Sequence, residues 1–211
     1  MKLFFNVYIK KIQKNSGYTI IETMIAISLL LVVTITGMGA LLNANLIHEK
    51  SESTREVMDS LSFIVEDISK NLRTGTNYHC INDGNFTVNN LIISKSCASG
   101  GGIAFENGLG NPSITTDQWI YKIESVDGIQ PYNIFKSVDS GATWVQLNPT
   151  EVEIDPTSSF VVTGAEAPNS DGSGDHKQPF VTIKLIGKIR FKNTVTPFTI
   201  QTSVSQRSID V

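Results

Sequence analysis

One carboxylate lies in a stretch where only apolar residues are expected. Between Tyr18 and Ile47 the only charged residue is Glu22. A charged side chain at the centre of a bilayer costs about 2.5–3.5 kcal/mol on insertion scales, and less near the interface. We therefore treat Glu22 as a candidate functional residue. The alternative is that it reaches the interface and has no partner.

The residues before this stretch are basic and end in a pair of small residues. Residues 1–17 contain four lysines and no acidic residue, and such a charge keeps its end of an apolar helix in the cytoplasm. The small pair Ser16–Gly17 precedes the apolar run, whereas a secretory signal peptide has its small-residue cleavage site after that run. Cleavage after Gly17 would leave Tyr18 as the new N-terminus.

Two cysteines, Cys80 and Cys97, follow much later in the chain. In an oxidising compartment they are candidates for a disulfide, which would contribute about 3 kcal/mol for a loop of this length in the chain-entropy model. Free thiols are the alternative. Two cysteines at this spacing do not resemble a zinc site.

Residues that could catalyse a reaction are scattered. His48, His79 and His176 lie far apart in the sequence, and the chain has none of the metalloprotease, nucleophile-elbow, phosphate-loop or C-x-x-C motifs. We expect that the protein is not an enzyme and has no cofactor.

One loop could supply oxygen ligands to calcium, with Asp171 and Asp175 as its acidic residues. The EF-hand pattern requires an acid at its twelfth position, and counting from Asn169 that position is Phe180. An exposed loop is therefore the favoured interpretation, and no metal is predicted.

The segment Ser137–Trp144 matches the pattern S-x-D-x-G-x-T-W, which resembles turns in sialidases and related propellers. A propeller needs several blades, and this motif occurs once. We predict a structural hairpin in which Asp139 caps the turn, Gly141 takes a positive φ and Trp144 packs beneath it.

The sequence predicts that a long helix followed by strands positions these residues. Tyr18–Leu42 would span about 37 Å as a helix, enough to cross a bilayer. Apolar residues then recur at steps of three and four, which predicts an amphipathic continuation that ends at Gly75. The apolar positions of that continuation are Val57, Leu61, Ile64, Val65, Ile68 and Leu72.

Residues 76–211 predict an antiparallel sheet that packs on the amphipathic half of the helix, so the expected fold class is α+β. Short β-type runs alternate with Gly-, Asn-, Ser- and Pro-rich stretches. The predicted strands are Phe86–Ile93, Gly102–Phe105, Gln118–Ile123, Tyr132–Ser137, Thr143–Leu147, Glu151–Ile154, Ser159–Thr163, Phe180–Phe191 and Phe198–Ser205.

The charge of the chain disfavours one class of partner. The full sequence has 17 basic and 20 acidic residues, and removal of residues 1–17 would leave 13 basic residues against 20 acidic ones. A net negative chain does not attract nucleic acid through bulk electrostatics, so no nucleic-acid partner is predicted.

The stretch SGYTIIETMIAISLLLVV, with its lysine-bearing leader, resembles the N-terminal region of type IV pilins and of the pseudopilins of type II secretion. Gly17 matches the residue before the cut made by prepilin peptidase. Tyr18 matches the new first residue, which the same enzyme methylates on its nitrogen. That residue is usually Phe, so Tyr18 departs from the pattern while keeping an aromatic ring.

The resemblance also assigns a role to Glu22. In the family the matching glutamate faces the N-terminal ammonium of a neighbouring subunit within a bundle of helices. Both charges lie in a medium of low dielectric constant, where pairing offsets the cost of desolvation. The pair would also set the register between subunits.

Four regions follow from this resemblance. They are a leader peptide (1–17), a transmembrane assembly helix (18–47), its amphipathic continuation (48–75) and a β-rich extracytoplasmic domain (76–211) of a pilin-like fold. The implied location is the cytoplasmic (inner) membrane, crossed once, and then a filament or its tip.

Two short segments, Glu66–Arg73 and Phe198–Arg207, look like minor pilins of the W type and minor pseudopilins of the J type. Such subunits prime or cap filaments. The implied partners are prepilin peptidase, other pilin or pseudopilin subunits, the inner-membrane assembly platform and membrane lipid. The competing hypothesis is an extracellular binding or adhesion module on a simple, uncleaved anchor.

Overall fold

The structure is a computed structural model that describes residues 17–82, 91, 93–111, 113–125, 128, 131–166, 177–192 and 194–207. The chain divides into two compact units, Met1–Glu49 and Lys50–Val211. The calcium candidates Asp171 and Asp175 lie outside the described residues, as does most of the predicted strand Phe86–Ile93.

The first unit contains the apolar part of helix α1, which runs from Ile20 to Thr74. Every large apolar side chain between Tyr18 and Ile47 is more than half exposed. This part of α1 is long and apolar enough to cross a membrane. It is therefore a candidate single-pass anchor.

In the second unit, α1 presents one apolar stripe to the core. The buried helix residues are Val57, Leu61, Ile64, Val65, Ile68 and Leu72, so the predicted periodicity is confirmed. The helix ends at Thr74, and the Gly75 N–H donates to the carbonyls of Asn71 and Leu72 at 3.0 and 3.1 Å. Gly75 is needed there because a Cβ atom would lie 2.4 Å from the Phe105 ring.

Within the described residues, the rest of this unit forms one antiparallel sheet. The order of its strands is β1-β3-β4-β5-β7-β9-β8-β2, with β6 paired to β5 and β10 paired to β9. The strands are β1 (Thr76–Ile81), β2 (Cys97–Gly100), β3 (Gly102–Glu106), β4 (Trp119–Ser125), β5 (Tyr132–Ser137), β6 (Val145–Gln146), β7 (Val152–Ile154), β8 (Ser159–Thr163), β9 (Phe180–Phe191) and β10 (Thr194–Ser205).

The core lies between the helix stripe and one face of this sheet. Alternate residues of β9, among them Val181, Ile183 and Leu185, are buried in the same cluster as the helix residues. Burial of alternate residues is the pattern of a strand with one face on a core. The predicted α+β class is therefore confirmed.

At the two ends of the strand order, β1 also contacts the residues that lead into β2. The Cys80 N–H donates to the carbonyl of Lys95, and the Lys95 N–H donates to that of Tyr78, both at 2.9 Å. These bonds form a short parallel bridge between β1 and the residues that lead into β2.

Candidate functional site

The backbone around the predicted cut is exposed and not helical. Gly17, Tyr18 and Thr19 precede α1, and the Tyr18 side chain is 81% exposed. A Cβ atom added at Gly17 would have no other atom within 4 Å. Gly17 and Tyr18 are thus both exposed.

Thr19 is the N-cap of the helix. Its Oγ1 accepts a hydrogen bond from the Glu22 N–H at 3.3 Å, and its carbonyl accepts one from the Thr23 N–H at 3.2 Å. A threonine followed three residues later by glutamate is the signature of a capping box. The sequence prediction did not include this role for Thr19, although the spacing alone could have found it.

Glu22 lies in the first turn of α1, and its side chain is exposed. The unsatisfied N–H groups at a helix N-terminus favour a negative charge in that turn. Glu22 therefore has a local stabilising effect on the helix start, and its carboxylate still faces outward, where it could meet a partner.

The predicted disulfide is confirmed. Cys80 and Cys97 are bonded, with their Cα atoms 5.9 Å apart, and the bond joins β1 to β2 at the two ends of the strand order. Gly100 packs against it, because a Cβ there would lie 2.4 Å from the Cys80 Sγ. The bond therefore fixes the position at which the two ends of the sheet meet.

A polar network attaches the helix to the sheet. The Asp67 carboxylate accepts hydrogen bonds from the Tyr121 hydroxyl at 2.9 Å and from the Lys136 Nζ at 3.0 Å. Asn71 donates to both Asp67 and Tyr121, at 3.0 and 2.9 Å. Burial alone would raise the pKa of Asp67, but the hydrogen bonds and the Lys136 charge hold it below the ordinary value.

The motif Ser137–Trp144 forms the turn between β5 and β6, as predicted. Asp139 accepts hydrogen bonds from the Thr143 N–H at 2.9 Å, the Thr143 hydroxyl at 2.6 Å and the Ser137 hydroxyl at 2.7 Å. These hydrogen bonds, of which those from Thr143 have the largest effect, lower the pKa of Asp139 to about 2. Gly141 has a φ of 91°.

The Trp144 ring in this turn has two close neighbours. The Lys122 Nζ lies 3.8 Å from the ring centroid, and a Cβ at Gly141 would lie 3.2 Å from the ring. The ring therefore packs against the turn at Gly141, as predicted.

The histidines form no site within the described part of the chain. His48 is exposed on α1, and the Nδ1 of His79 lies 2.6 Å from the carbonyl oxygen of Ile93. His176 lies outside the described residues. Among the residues that are described, no group of three or more His, Cys, Asp or Glu side chains is placed to hold a metal ion.

Comparison with known proteins adds no relative. No family model, curated protein or solved structure matches the chain.

Proposed function

We propose that this protein is a minor pilin or pseudopilin. It is a structural subunit that primes or caps a type IV pilus or a type II secretion-type filament after prepilin peptidase removes residues 1–17. It crosses the inner membrane once, with its β-rich domain outside the cytoplasm. Its work is assembly and not catalysis.

The observation that carries this proposal is the start of α1. The helix begins at Ile20, so a cut after Gly17 would release a chain whose first residues lead directly into a capped helix. An ordinary anchor has no need for a predicted cleavage site, an N-cap and a carboxylate within six residues. A filament subunit uses all three.

The exposed apolar surface of the helix supports the same conclusion. The large apolar side chains from Tyr18 to Ile47 are all more than half exposed, which water disfavours by about 25 cal/mol per Å². Lipid covers this surface before assembly, and the helices of other subunits cover it within a filament. The second unit is left free to contact partners through its sheet.

Processing at Gly17 is the first test. We would determine the N-terminus of the membrane-extracted protein by mass spectrometry, from cells with and without prepilin peptidase. The expected mature chain begins at N-methylated Tyr18, only when the peptidase is present. An intact leader in the presence of active enzyme would reject the proposal and favour the uncleaved binding module.

A matched pair of variants separates processing from folding. Gly17→Val places a β-branched side chain beside the cut and is expected to block it. Gly37→Val is the control, since a Cβ at either glycine would have no neighbouring atom within 4 Å. Equal processing of both variants would show that the peptidase does not require glycine at position 17.

A further inference from the structure

Three oxygen-bearing side chains meet where β3 ends and β4 begins. Glu106 is the last residue of β3, and Gln118 directly precedes β4. The two strands pair with Phe105 opposite Trp119, so Glu106 and Gln118 face each other one position further on. The Gln118 Nε2 donates a hydrogen bond to the Glu106 Oε2. With Asp117 these residues form what we call the oxygen cluster.

Each member of the oxygen cluster has one buried oxygen without a hydrogen-bond partner among the described residues. These atoms are Glu106 Oε1, Asp117 Oδ1 and Gln118 Oε1. Glu106 and Gln118 are 1% and 0% exposed, so water does not reach them freely. Buried polar atoms are nearly always paired, and three unpaired oxygens in one place need an explanation.

The second oxygens of the cluster are already engaged. The Asp117 Oδ2 accepts a hydrogen bond from the Asn111 N–H at 3.1 Å, and the Glu106 Oε2 accepts the one from Gln118. The Glu106 Oε1 is held against Gly110, since a Cβ there would lie 1.7 Å from it. One oxygen of each carboxylate is thus held by a hydrogen bond, and the remaining Glu106 Oε1 lies beside Gly110 in the β3–β4 connection.

The surroundings of the oxygen cluster are negative. The Glu106 and Asp117 carboxylates lie against the adjacent residues Gly110 and Asn111, so two acidic groups share this region. A Cβ at Gly108 would lie 2.6 Å from the carbonyl oxygen of Thr74, so the same connection packs against the C-terminus of α1, which is the negative end of the helix dipole.

Among the residues that the structure describes, the ion pairs of Glu124, Asp67 and Glu153 do not reach Glu106 or Asp117. A buried carboxylate without a cationic partner is disfavoured. A cation from outside the chain would offset this charge.

We propose that the oxygen cluster binds Ca²⁺. Carboxylate, amide and backbone carbonyl oxygens are the ligands that Ca²⁺ takes, in irregular geometry, whereas Mg²⁺ demands a near-ideal octahedron. The Asn107 carbonyl, which accepts the Gly110 N–H at 2.7 Å, lies beside the cluster and is a fourth ligand candidate. The connecting residues Gly108–Asn111 are exposed, so the ion has a short route in.

Bound Ca²⁺ would neutralise two carboxylates and fix the β3–β4 connection over the end of α1. The site does not involve Asp171 or Asp175, and it does not depend on processing at Gly17. A failure of the proposed filament function would leave it unaffected.

The test is calcium binding by the full chain in detergent, after removal of metals with a chelator. We expect saturable binding of one Ca²⁺ by isothermal titration calorimetry. Saturating Ca²⁺ is expected to raise the Tm by about 4 °C, and an equal concentration of Mg²⁺ by less than half as much. Glu106→Gln and Asp117→Asn should each weaken binding at least about tenfold.

Two further variants make the result specific. Gly110→Ala would push the Glu106 carboxylate aside without changing any charge, and it should also weaken binding. Glu151→Gln removes an exposed carboxylate and should bind Ca²⁺ like the wild type. No saturable binding by the folded wild type up to about 10 mM, well beyond the weakest protein sites, would overturn the proposal. So would unchanged affinity in Glu106→Gln and Asp117→Asn.

Discussion

Two acidic residues of α1 lie in different surroundings and therefore have different roles. Asp67 is half-buried and accepts hydrogen bonds from Tyr121 and Lys136 on the sheet. Glu22 lies exposed in an apolar stretch of the same helix. Asp67 therefore has a role within the fold, and Glu22 is available for a role between molecules.

Asp67→Asn tests the helix-to-sheet network. The change removes the charge that binds Lys136, and we expect a loss of about 1–2 kcal/mol in the free energy of unfolding at pH 7. The folded-state pKa of Asp67 is lowered, so its stabilisation is present above pH 3.8 and is lost as the pH falls through the folded pKa. Chemical denaturation across this range should show a flatter pH dependence for the variant. Glu66→Gln, which changes an exposed neighbour, should leave stability unchanged.

In the absence of metal, Glu106→Gln should stabilise the fold, whereas Asp67→Asn should destabilise it. The folded-state pKa of Glu106 is raised, so the ionised carboxyl destabilises the fold above that pKa. As the pH falls through the folded pKa toward 4.5, the free energy of unfolding of the wild type should rise. Below pH 4.5 this carboxyl should cause no further rise. In chelator at pH 7–8 the variant should unfold at a higher denaturant concentration than the wild type. A lower midpoint for the variant would show that the negative charge is already compensated within the chain.

At the scale of elements, the alternation of apolar and polar residues predicts a strand well when that alternation is present within the strand's own sequence. The predicted strands Tyr132–Ser137, Ser159–Thr163 and Phe180–Phe191 have the bounds of β5, β8 and β9. The predicted strand Thr143–Leu147 is shorter in the structure, since Thr143 is bound to Asp139 in the turn.

The strands that the sequence did not predict depend on distant partners. β1 contains Asn77 at a φ of 54°, and β2 consists of the small residues Cys97–Gly100, so neither has an alternating apolar pattern. β2 pairs with β8, more than 60 residues away, with Cys97 opposite Val162. The oxygen cluster was missed for the same reason, because only the register of β3 and β4 brings Glu106 beside Gln118.

Gly100→Ala tests the joint between β1 and β2. The new Cβ would lie 2.4 Å from the Cys80 Sγ and 2.9 Å from the Ile81 carbonyl oxygen, and we expect a loss of about 1–3 kcal/mol from overpacking. The adjacent Gly101→Ala is the control, because its Cβ would meet no atom closer than 3.8 Å. Thermal unfolding of both variants under non-reducing conditions makes the comparison. Equal Tm values would mean that the joint relaxes without cost.

On the scale of the whole molecule, the two units bury their apolar residues in different ways. Residues of the second unit, such as Leu61 and Phe160, are fully buried within the chain. In the first unit Leu30 and Val33 are 61% and 66% exposed, so that unit must find its apolar surroundings elsewhere. A monomer in water leaves this surface uncovered, and a bilayer or a bundle of helices covers it.

Glu22→Gln tests which of these surroundings the protein is built for. The amide keeps the shape of the side chain, and Thr19 can still cap the helix through the backbone N–H of residue 22. Membrane insertion and cleavage after Gly17 should therefore continue. The variant lacks the charge that would pair with a neighbour's N-terminal ammonium, so its incorporation into filaments should fall at least about tenfold, the factor that 1.4 kcal/mol represents.

The measurement is the fraction of processed protein that sediments with sheared filaments, relative to the fraction that stays in the membrane. Glu52→Gln, an exposed change further along the same helix, should sediment like the wild type. If Glu22→Gln also did so, the carboxylate would serve only the helix start, together with Thr19. A processed variant that accumulates in the membrane would instead show that the helix requires its charge only when another subunit is present. That is the behaviour expected of an assembly residue and not of an anchor.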